Sequence, residues 1–169
     1  MKKTVQTERL ELREILESDR ESLIDLFTDE QVKQTYMLPD FSSRGEAEAL
    51  CARIRELSER EDRYVFAISY RGELIGLIND TEIEGTQIEL GYALRPKYHN
   101  RGFATEALQA IIKHLFEAGF EEIMAGAFEE NVASQRVMEK CGMVRISKTE
   151  LIDYRGRTHL CIFYQKRRA

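Results

Sequence analysis

Residues 87–116 decide the fold, and they read QIELGYALRPKYHNRGFATEALQAIIKHLF. Apolar and other residues alternate from Gln87 to Leu94, which predicts a strand that buries one of its faces. From Ala104 to Phe116 apolar residues recur at the spacing of a helix, and Gly119 is expected to end that helix. Because another strand is predicted at residues 122–128, the region indicates a strand–helix–strand crossover.

The segments on either side of this crossover read as antiparallel strands. Residues 64–70 alternate, Arg71-Gly72 supplies a turn, and residues 74–78 form a second, buried strand. Near the other end, residues 153–157 have the composition of a hairpin turn between two last strands. No linker, repeat or low-complexity stretch divides these elements, so they predict one mixed α/β domain over residues 1–169.

Two helices are expected before the strands. Ser18 and Ser43 each stand three residues before a glutamate and ahead of an apolar run. This is the pattern of a capping box, so a helix should begin near each serine. The connection between the two helices contains Tyr36-Met37-Leu38-Pro39-Asp40-Phe41, which is apolar rather than turn-like. It is either a loop packed on the core or part of a substrate wall.

Composition argues against several classes of protein. The formal net charge of −5 argues against binding to nucleic acid, which requires clustered Lys and Arg, and favours cationic partners such as amines. No run of 18 apolar residues predicts a membrane span, and the N-terminal segment turns polar too soon for a signal peptide. Cys51, Cys141 and Cys161 are widely spaced, and no cluster of ligand residues suits a metal. We therefore expect a reduced, cytoplasmic protein without a metal or a membrane partner.

The connection from the strand to the helix has the features of a phosphate-binding loop. Gly102 and Ala104 are small, so a ligand can approach the backbone closely at the helix start. The unpaired amides of a first helical turn and the helix dipole attract anions, and Arg101 adds a full positive charge. A diphosphate suits this position. The motifs of P-loop and dinucleotide-binding folds are missing, and taken alone the loop is equally a glycine turn into a helix.

Several segments, taken in order, resemble the GNAT superfamily of acetyl-CoA-dependent N-acetyltransferases. The family signature Gln/Arg-x-x-Gly-x-Gly/Ala falls on His99–Ala104, with histidine at its first position. Thr7–Arg13 resembles the opening of the branch of the ribosomal-protein alanine N-acetyltransferases (RimJ/RimL-like). Ile88–Tyr92 resembles the family's fourth strand, Gly102–Ala107 the start of its third helix, and Asn131–Met143 its last helix and turn. The resemblance covers nearly the whole chain.

The resemblance implies an α/β (α+β) fold with a mixed, mostly antiparallel central sheet, splayed fourth and fifth strands, and helices on both faces. It also implies that the cosubstrate acetyl-CoA lies between the splayed strands, where its amides pair with exposed strand backbone. His99 has a second interpretation, as a loop histidine without a ligand. The residues expected to contact the cofactor are Ala93, Leu94, Arg95, His99, Asn100, Arg101, Gly102, Phe103, Ala104, Thr105 and Asn131.

Glu89 is the candidate catalytic base. Acetyl transfer from a thioester requires a neutral amine and a proton for the departing thiolate, and acid–base groups speed such steps by about 10²–10⁴-fold. Glu89 lies on the strand face opposite Leu90, just before Gly91-Tyr92, where the strands are expected to part. There it would accept the amine's proton through water and attract a cationic substrate. The alternative is a solvent-facing strand glutamate.

Ser134 is the candidate catalytic acid. Many members of the family use a tyrosine four residues before the glycine of the last turn, where this chain has Met138. The ribosomal-protein branch looks different, with a serine three residues after an asparagine, which is the spacing of Asn131 and Ser134. The alternative is that Asn131 caps the helix and Ser134 only fills its third position. Cys141 lies in an apolar helix face and is expected to pack rather than react.

The acceptor amine is open to more than one interpretation. Deprotonating a protein α-amine, whose pKa is near 7.7–8.0, costs about 3 kcal/mol less than deprotonating a lysine. An enzyme with one modest base therefore favours α-amines, and the resemblance to the ribosomal-protein branch points the same way. Polyamines, aminoglycosides and small metabolites are the alternatives. A catalytically silent coenzyme A-binding module is a second class of function, and a homodimer through the last strands is a further option.

Overall fold

The computed structural model describes residues 4–169, and within them eight strands form one sheet. Their order across the sheet is β1-β2-β3-β4-β5-β6-β8-β7, with bounds β1 Val5–Gln6, β2 Leu10–Arg13, β3 Val65–Tyr70, β4 Glu73–Glu84, β5 Gln87–Leu94, β6 Glu122–Phe128, β7 Val144–Tyr154 and β8 Arg157–Arg167. All neighbouring strands pair antiparallel except β5 and β6, which are parallel. The mixed, mostly antiparallel sheet predicted from the sequence is confirmed.

Helices cover both faces of the sheet, because alternate strand residues are apolar on each face. One face packs on α1 (Arg20–Thr28), α2 (Glu30–Lys33) and α3 (Arg44–Glu59). The other face, which carries the larger buried cluster, packs on α4 (Phe103–Glu117) and α5 (Val132–Lys140). These two layers position the site. The loop from β5 to α4 and the loop from β6 to α5 lie at the same end of the sheet, because β5 and β6 are parallel.

The parallel pair β5 and β6 parts halfway along. Its register runs only from the pair Gln87 and Glu122 to the pair Leu90 and Ala125. Beyond it, residues 91–94 of β5 remain paired with β4, whereas residues 126–128 of β6 remain paired with β8. An opening therefore forms between the two strands, as the resemblance implied. If the two-residue strand β1 is left out of the count, β5 and β6 are the fourth and fifth strands of the chain.

The two predicted capping boxes have different outcomes. Ser43 caps α3, and its hydroxyl accepts a hydrogen bond from the Glu46 amide at 3.3 Å. The helix start predicted near Ser18 is confirmed within two residues, since residues 17–19 form a 3-10 turn and α1 begins at Arg20, but Ser18 does not cap it. Asp19 explains the difference: its buried carboxylate accepts the Leu16 amide at 2.7 Å and caps the turn instead.

Candidate active site

The loop from β5 to α4 gives a helix start with outward-pointing amides. Gly102 is the N-cap of α4 with φ of +77°, a left-handed conformation that glycine adopts without strain. The first backbone bond of the helix runs from the Glu106 amide to the Gly102 carbonyl at 3.0 Å. Helical geometry therefore leaves the amides of Phe103, Ala104 and Thr105 without an acceptor inside the helix. Such a group of amides at the positive end of a helix dipole suits a diphosphate.

Two arginines bring positive charge to this helix start. Arg101 was expected there, and its guanidinium lies 4.9 Å from the Phe103 ring centre. Arg9, from the loop before β2, was not predicted to lie there. It donates to the Arg101 carbonyl at 2.9 Å and to the Glu106 carboxylate at 2.8 Å. A side-chain carbon on Gly102 would lie 3.3 Å from the Arg9 guanidinium. Sequence reasoning missed Arg9 because 97 residues separate it from Glu106.

His99 and Asn100 shape the turn that precedes the helix. The His99 ring Nε2 lies 3.0 Å from the Leu94 carbonyl oxygen, so Nε2–H donates to it, and the His99 amide donates to the Pro96 carbonyl at 3.0 Å. Asn100 has φ of +60°, a conformation that asparagine tolerates better than most residues. The His99 ring thus holds the end of β5 against the loop, in keeping with the loop-histidine interpretation.

The backbone of β5 presents alternate residues to the opening. The Arg95 amide donates to the Ile75 carbonyl at 2.8 Å, so Arg95 and Ala93 direct their backbone polar groups toward β4. The polar groups of Leu94 and Tyr92 consequently point toward the opening. Of the three residues near which the ligand was predicted to pair, only Leu94 therefore directs its backbone groups toward the opening, whereas Ala93 and Arg95 face β4. Tyr92 also faces the opening, and the strand alternation in the sequence was the signal that could have identified it.

Glu89 lies one residue before the strands part, on the face of β5 that Gly91 shares. Its carboxylate accepts a hydrogen bond from the Thr81 hydroxyl at 2.6 Å and lies 3.9 Å from the Lys148 ammonium. The side chain is 22 % exposed, so water reaches it. A side-chain carbon on Gly91 would touch Thr81 at 3.4 Å and Tyr36 at 3.8 Å. A side chain at position 91 would therefore pack against Thr81 and Tyr36, beside Glu89.

Ser134 lies on the opposite face, in the first turn of α5. Asn131 caps this helix, and its side-chain oxygen accepts the Ser134 amide at 3.3 Å. The Ser134 hydroxyl takes no part in the cap and instead lies 2.7 Å from the Tyr92 hydroxyl. The helix cap therefore uses only the backbone amide of Ser134. Its hydroxyl is not used by the cap, so the position in the capped turn does not exclude a role as catalytic acid.

The apolar connection after α2 lies beside Gly91 and is packed on the core. Leu38 is buried, and the Tyr36 hydroxyl donates to the Asn79 side-chain oxygen at 2.6 Å. Tyr154, at the tip of the β7–β8 hairpin, holds this connection in place: its hydroxyl donates to the Lys33 carbonyl at 2.6 Å and accepts the Leu38 amide at 3.1 Å. The interpretation of residues 36–41 as a loop packed on the core is confirmed, and their role as part of a substrate wall stays a prediction.

Neither a reactive thiol nor a metal cluster is found in the described part of the chain. Cys141 is buried, and burial raises the pKa of its thiol to about 11, so it packs as expected and is a poor nucleophile. Within residues 4–169 no three His, Cys, Asp or Glu residues gather closely enough to hold a metal ion. No helix in that range is long and apolar enough to cross a membrane.

Comparison with known proteins identifies the family. The model of the acetyltransferase (GNAT) domain matches residues 9–144. The chain belongs to the GNAT acetyltransferase family. A relative from Bacillus subtilis, the uncharacterized N-acetyltransferase YnaD, is 31 % identical over 145 residues, which cover 83 % of this chain and 82 % of the relative. This GNAT protein is therefore an acetyl-CoA-dependent N-acetyltransferase, and the family relationship favours an enzyme over a silent binding module.

Solved structures share the fold over almost the full length. An acetyltransferase of the GNAT family from Bacillus anthracis superposes with a TM-score of 0.84 at 26 % identity and covers 98 % of both chains. The ribosomal L7/L12 alpha-N-protein acetyltransferase RimL, solved in complex with coenzyme A, superposes with a TM-score of 0.86 at 21 % identity, again over 98 % of both chains. The strand opening and the helix start of this GNAT protein fit the amide chain and the diphosphate of such a cofactor.

Proposed function

We propose that this N-acetyltransferase acetylates the N-terminal α-amine of a protein or peptide. The observation that carries the proposal is the placement of Glu89 and Ser134 on opposite faces of the strand opening, one residue before and just beyond the point where β5 and β6 part. A carboxylate on the face of α1–α3 and a hydroxyl on the face of α4 and α5 are the two groups that the reaction requires.

Each group has one task. Bound acetyl-CoA supplies an acetyl group already activated as a thioester. Glu89 accepts, through water, the proton that the amine loses as its nitrogen bonds to the acetyl carbon. Ser134 donates to the sulfur as the carbon–sulfur bond breaks, and solvent restores its proton. One proton leaves nitrogen and one reaches sulfur, so the products are an acetylated amine and the free thiol of coenzyme A.

The helix start and the strand opening hold the cofactor in this proposal. The amides of residues 102–105 and the guanidinium of Arg101 bind the diphosphate, with Arg9 as a second cation. The Leu94 amide and the backbone groups of Tyr92 pair with the pantetheine amides, while the Leu94 carbonyl accepts from the His99 ring. Both partners are then held side by side, and orientation of this kind supplies a large part of the rate.

Two features support an α-amine as the acceptor. Glu89 is a single carboxylate, already bonded to Thr81, and such a base serves an α-amine with a pKa near 7.7–8.0 better than a lysine near 10.4. The connection at residues 36–41, which Tyr154 holds in place, lies beside Gly91 on the Glu89 face, and we propose that it contacts the end of the acceptor chain. The fold shared with RimL, named for α-N-protein acetylation, agrees with this assignment. The cytoplasmic location and the homodimer stay predictions.

A thiol-release assay with a matched amine panel tests the proposal. The panel contains peptides with a free N-terminus, the same peptides blocked at the N-terminus but carrying a lysine, a polyamine and an aminoglycoside. We expect release with the free N-terminus and little with the others. Release with the polyamine or the aminoglycoside alone would reject the α-amine, and release with blocked peptides would assign lysine instead.

Replacing the proposed acid separates its role from that of the helix cap. Ser134→Ala leaves Asn131 and its cap in place, because the cap uses the backbone amide of residue 134. Turnover should fall by about 10²-fold with coenzyme A affinity within twofold of the wild type. Full activity in this variant would leave Ser134 with only its position in the capped turn.

A further inference from the structure

The hydroxyl of Tyr92 joins the two sides of the strand opening. Tyr92 belongs to the part of β5 that has left β6, whereas Ser134 belongs to the helix that follows β6. Their hydroxyl oxygens are 2.7 Å apart, and the Tyr92 hydroxyl is also 3.2 Å from the Ser134 carbonyl oxygen. These contacts cross between the separated strands, 42 residues apart in sequence.

We propose that Tyr92 is a positioning residue that holds the Ser134 hydroxyl toward the cofactor sulfur and strengthens its hydrogen bond to the departing thiolate. The inference rests on the proposed function, since it assigns Ser134 to the sulfur. The sequence did not identify Tyr92 as a residue of the active site. The proposal also predicts which hydroxyl, that of Tyr92 or that of Ser134, donates to the other.

The two hydroxyls have two arrangements of their protons. In one, Tyr92 donates to the Ser134 carbonyl and Ser134 donates to Tyr92, so the serine proton is used within the pair. In the other, Tyr92 donates to the Ser134 hydroxyl oxygen, and the serine proton is left for a third atom. No heavy atom has to move between them. A negative sulfur in the opening selects the second arrangement, because it attracts the free proton.

Burial keeps Tyr92 in the role of a donor. It raises the pKa of the Tyr92 phenol above its usual value, while the hydrogen bond to Ser134 lowers it in part. The phenol is therefore neutral at physiological pH and carries the proton that this arrangement needs. A donor to the serine oxygen also makes the serine a better donor, since linked hydrogen bonds polarise one another.

Removal of the phenol hydroxyl would free the serine to turn away. A hydroxyl that no partner holds rotates about its Cα–Cβ bond among the staggered rotamers. In Tyr92→Phe the Ser134 hydroxyl has no partner on β5, so nothing from that strand directs it toward the opening. The expected result is a protein that folds and binds coenzyme A but stabilises its thiolate less well.

The pKa of the coenzyme A thiol in its complex measures this effect without any acceptor. The thiolate absorbs in the ultraviolet, and a titration of the coenzyme A complex against the S-methyl coenzyme A complex removes the protein's tyrosines from the difference. The protein's own thiols do not interfere near neutral pH, because burial raises the pKa of Cys51, Cys141 and Cys161 to about 11.

We expect Ser134→Ala to raise the pKa of the bound thiol by about one unit, a tenfold loss of thiolate stabilisation, and Tyr92→Phe to raise it by about half as much. The double variant should match Ser134→Ala, because Tyr92 acts through the serine. Tyr164→Phe removes a hydroxyl from a buried tyrosine of β8 and serves as the matched control, with the wild-type pKa.

Three outcomes would overturn the inference. A wild-type thiol pKa in Tyr92→Phe would show that the phenol does not support the serine, and additive effects in the double variant would show that Tyr92 acts on the sulfur independently. An unchanged pKa in Ser134→Ala would remove Ser134 from the sulfur and the inference with it. If the α-amine assignment is wrong, the thiol-release panel shows it, and the pKa of the bound coenzyme A thiol does not change.

Discussion

The alanine substitution at Gly102 tests the helix start quantitatively. Gly102 has φ of +77°, a left-handed conformation that costs an alanine about 1–2 kcal/mol. For a chain of this size each kcal/mol lowers the melting temperature by about 2–4 °C, so Gly102→Ala should melt about 2–8 °C below the wild type. The new carbon would also lie 3.3 Å from the Arg9 guanidinium and at the surface where the diphosphate would approach.

Gly102→Ala should reduce the binding free energy of coenzyme A by more than it reduces the free energy of unfolding. Loss of one amide bond to a charged phosphate costs about 1.5–3 kcal/mol, which corresponds to about 10- to 100-fold weaker binding of coenzyme A by calorimetry. Gly85→Ala is the matched control, because Gly85 has φ of +59°, no atom within 4 Å of the added carbon, and a position at the far end of β5. It should lose similar stability and keep its affinity. Equal affinities in both variants would refute the assignment of this helix start.

Three further substitutions probe the acceptor side and the cofactor loop. Glu89→Gln should lower turnover by about 10²-fold in steady-state assays and leave coenzyme A affinity unchanged, because the base is removed and the helix start is not. Tyr154→Phe loses the bonds to Lys33 and Leu38, so peptide KM should rise by about fivefold to tenfold, the equivalent of one lost hydrogen bond of about 1 kcal/mol. Glu106→Gln weakens the tether to Arg9 and should cost about 1–2 kcal/mol in urea unfolding at pH 7.

The Glu106 variant should also change how stability depends on pH. Burial raises the pKa of Glu106, but hydrogen bonds from Thr7 and Arg9 outweigh it and the pKa is lowered overall. The stabilisation is therefore complete above the unfolded pKa of about 4.3 and is lost as pH falls through the lower folded value. Glu106→Gln should show a smaller stability loss than the wild type across that acid range. Identical acid profiles in Glu106→Gln and the wild type would reject the role of the Glu106 carboxylate. An unchanged peptide KM in Tyr154→Phe would reject the role of Tyr154 on the acceptor side. Wild-type turnover in Glu89→Gln would reject Glu89 as the base.

Local patterns in the sequence predicted the elements that frame the site. Alternation placed β5 at its observed bounds, and the boundaries of β6 also match those observed. Asn131 and Ser43 cap their helices as the spacing of polar residues indicates. Ser18 has the same pattern and a helix does begin near it, but Ser18 does not cap that helix, because the Asp19 carboxylate binds the Leu16 amide and Arg13 instead.

Contacts between distant segments could not be predicted in the same way. The bond between Tyr92 and Ser134 depends on how far β5 and β6 part, which no local pattern encodes. Arg9 reaches the helix start only because the segment before β2 packs on α4 through Glu106. The direction of the Arg95 amide could not be predicted for a related reason, since the strand pairing decides which amides face the opening.

A crystal structure of this protein with coenzyme A would test most directly whether the start of α4 is the diphosphate site. We expect the diphosphate oxygens at about 2.7–3.2 Å from the backbone nitrogens of residues 102–105, with the thiol end between β5 and β6 near Ser134. A diphosphate bound elsewhere, for example in the groove lined by Lys113, Lys140 and Lys166, would contradict the assignment and the catalytic roles that depend on it.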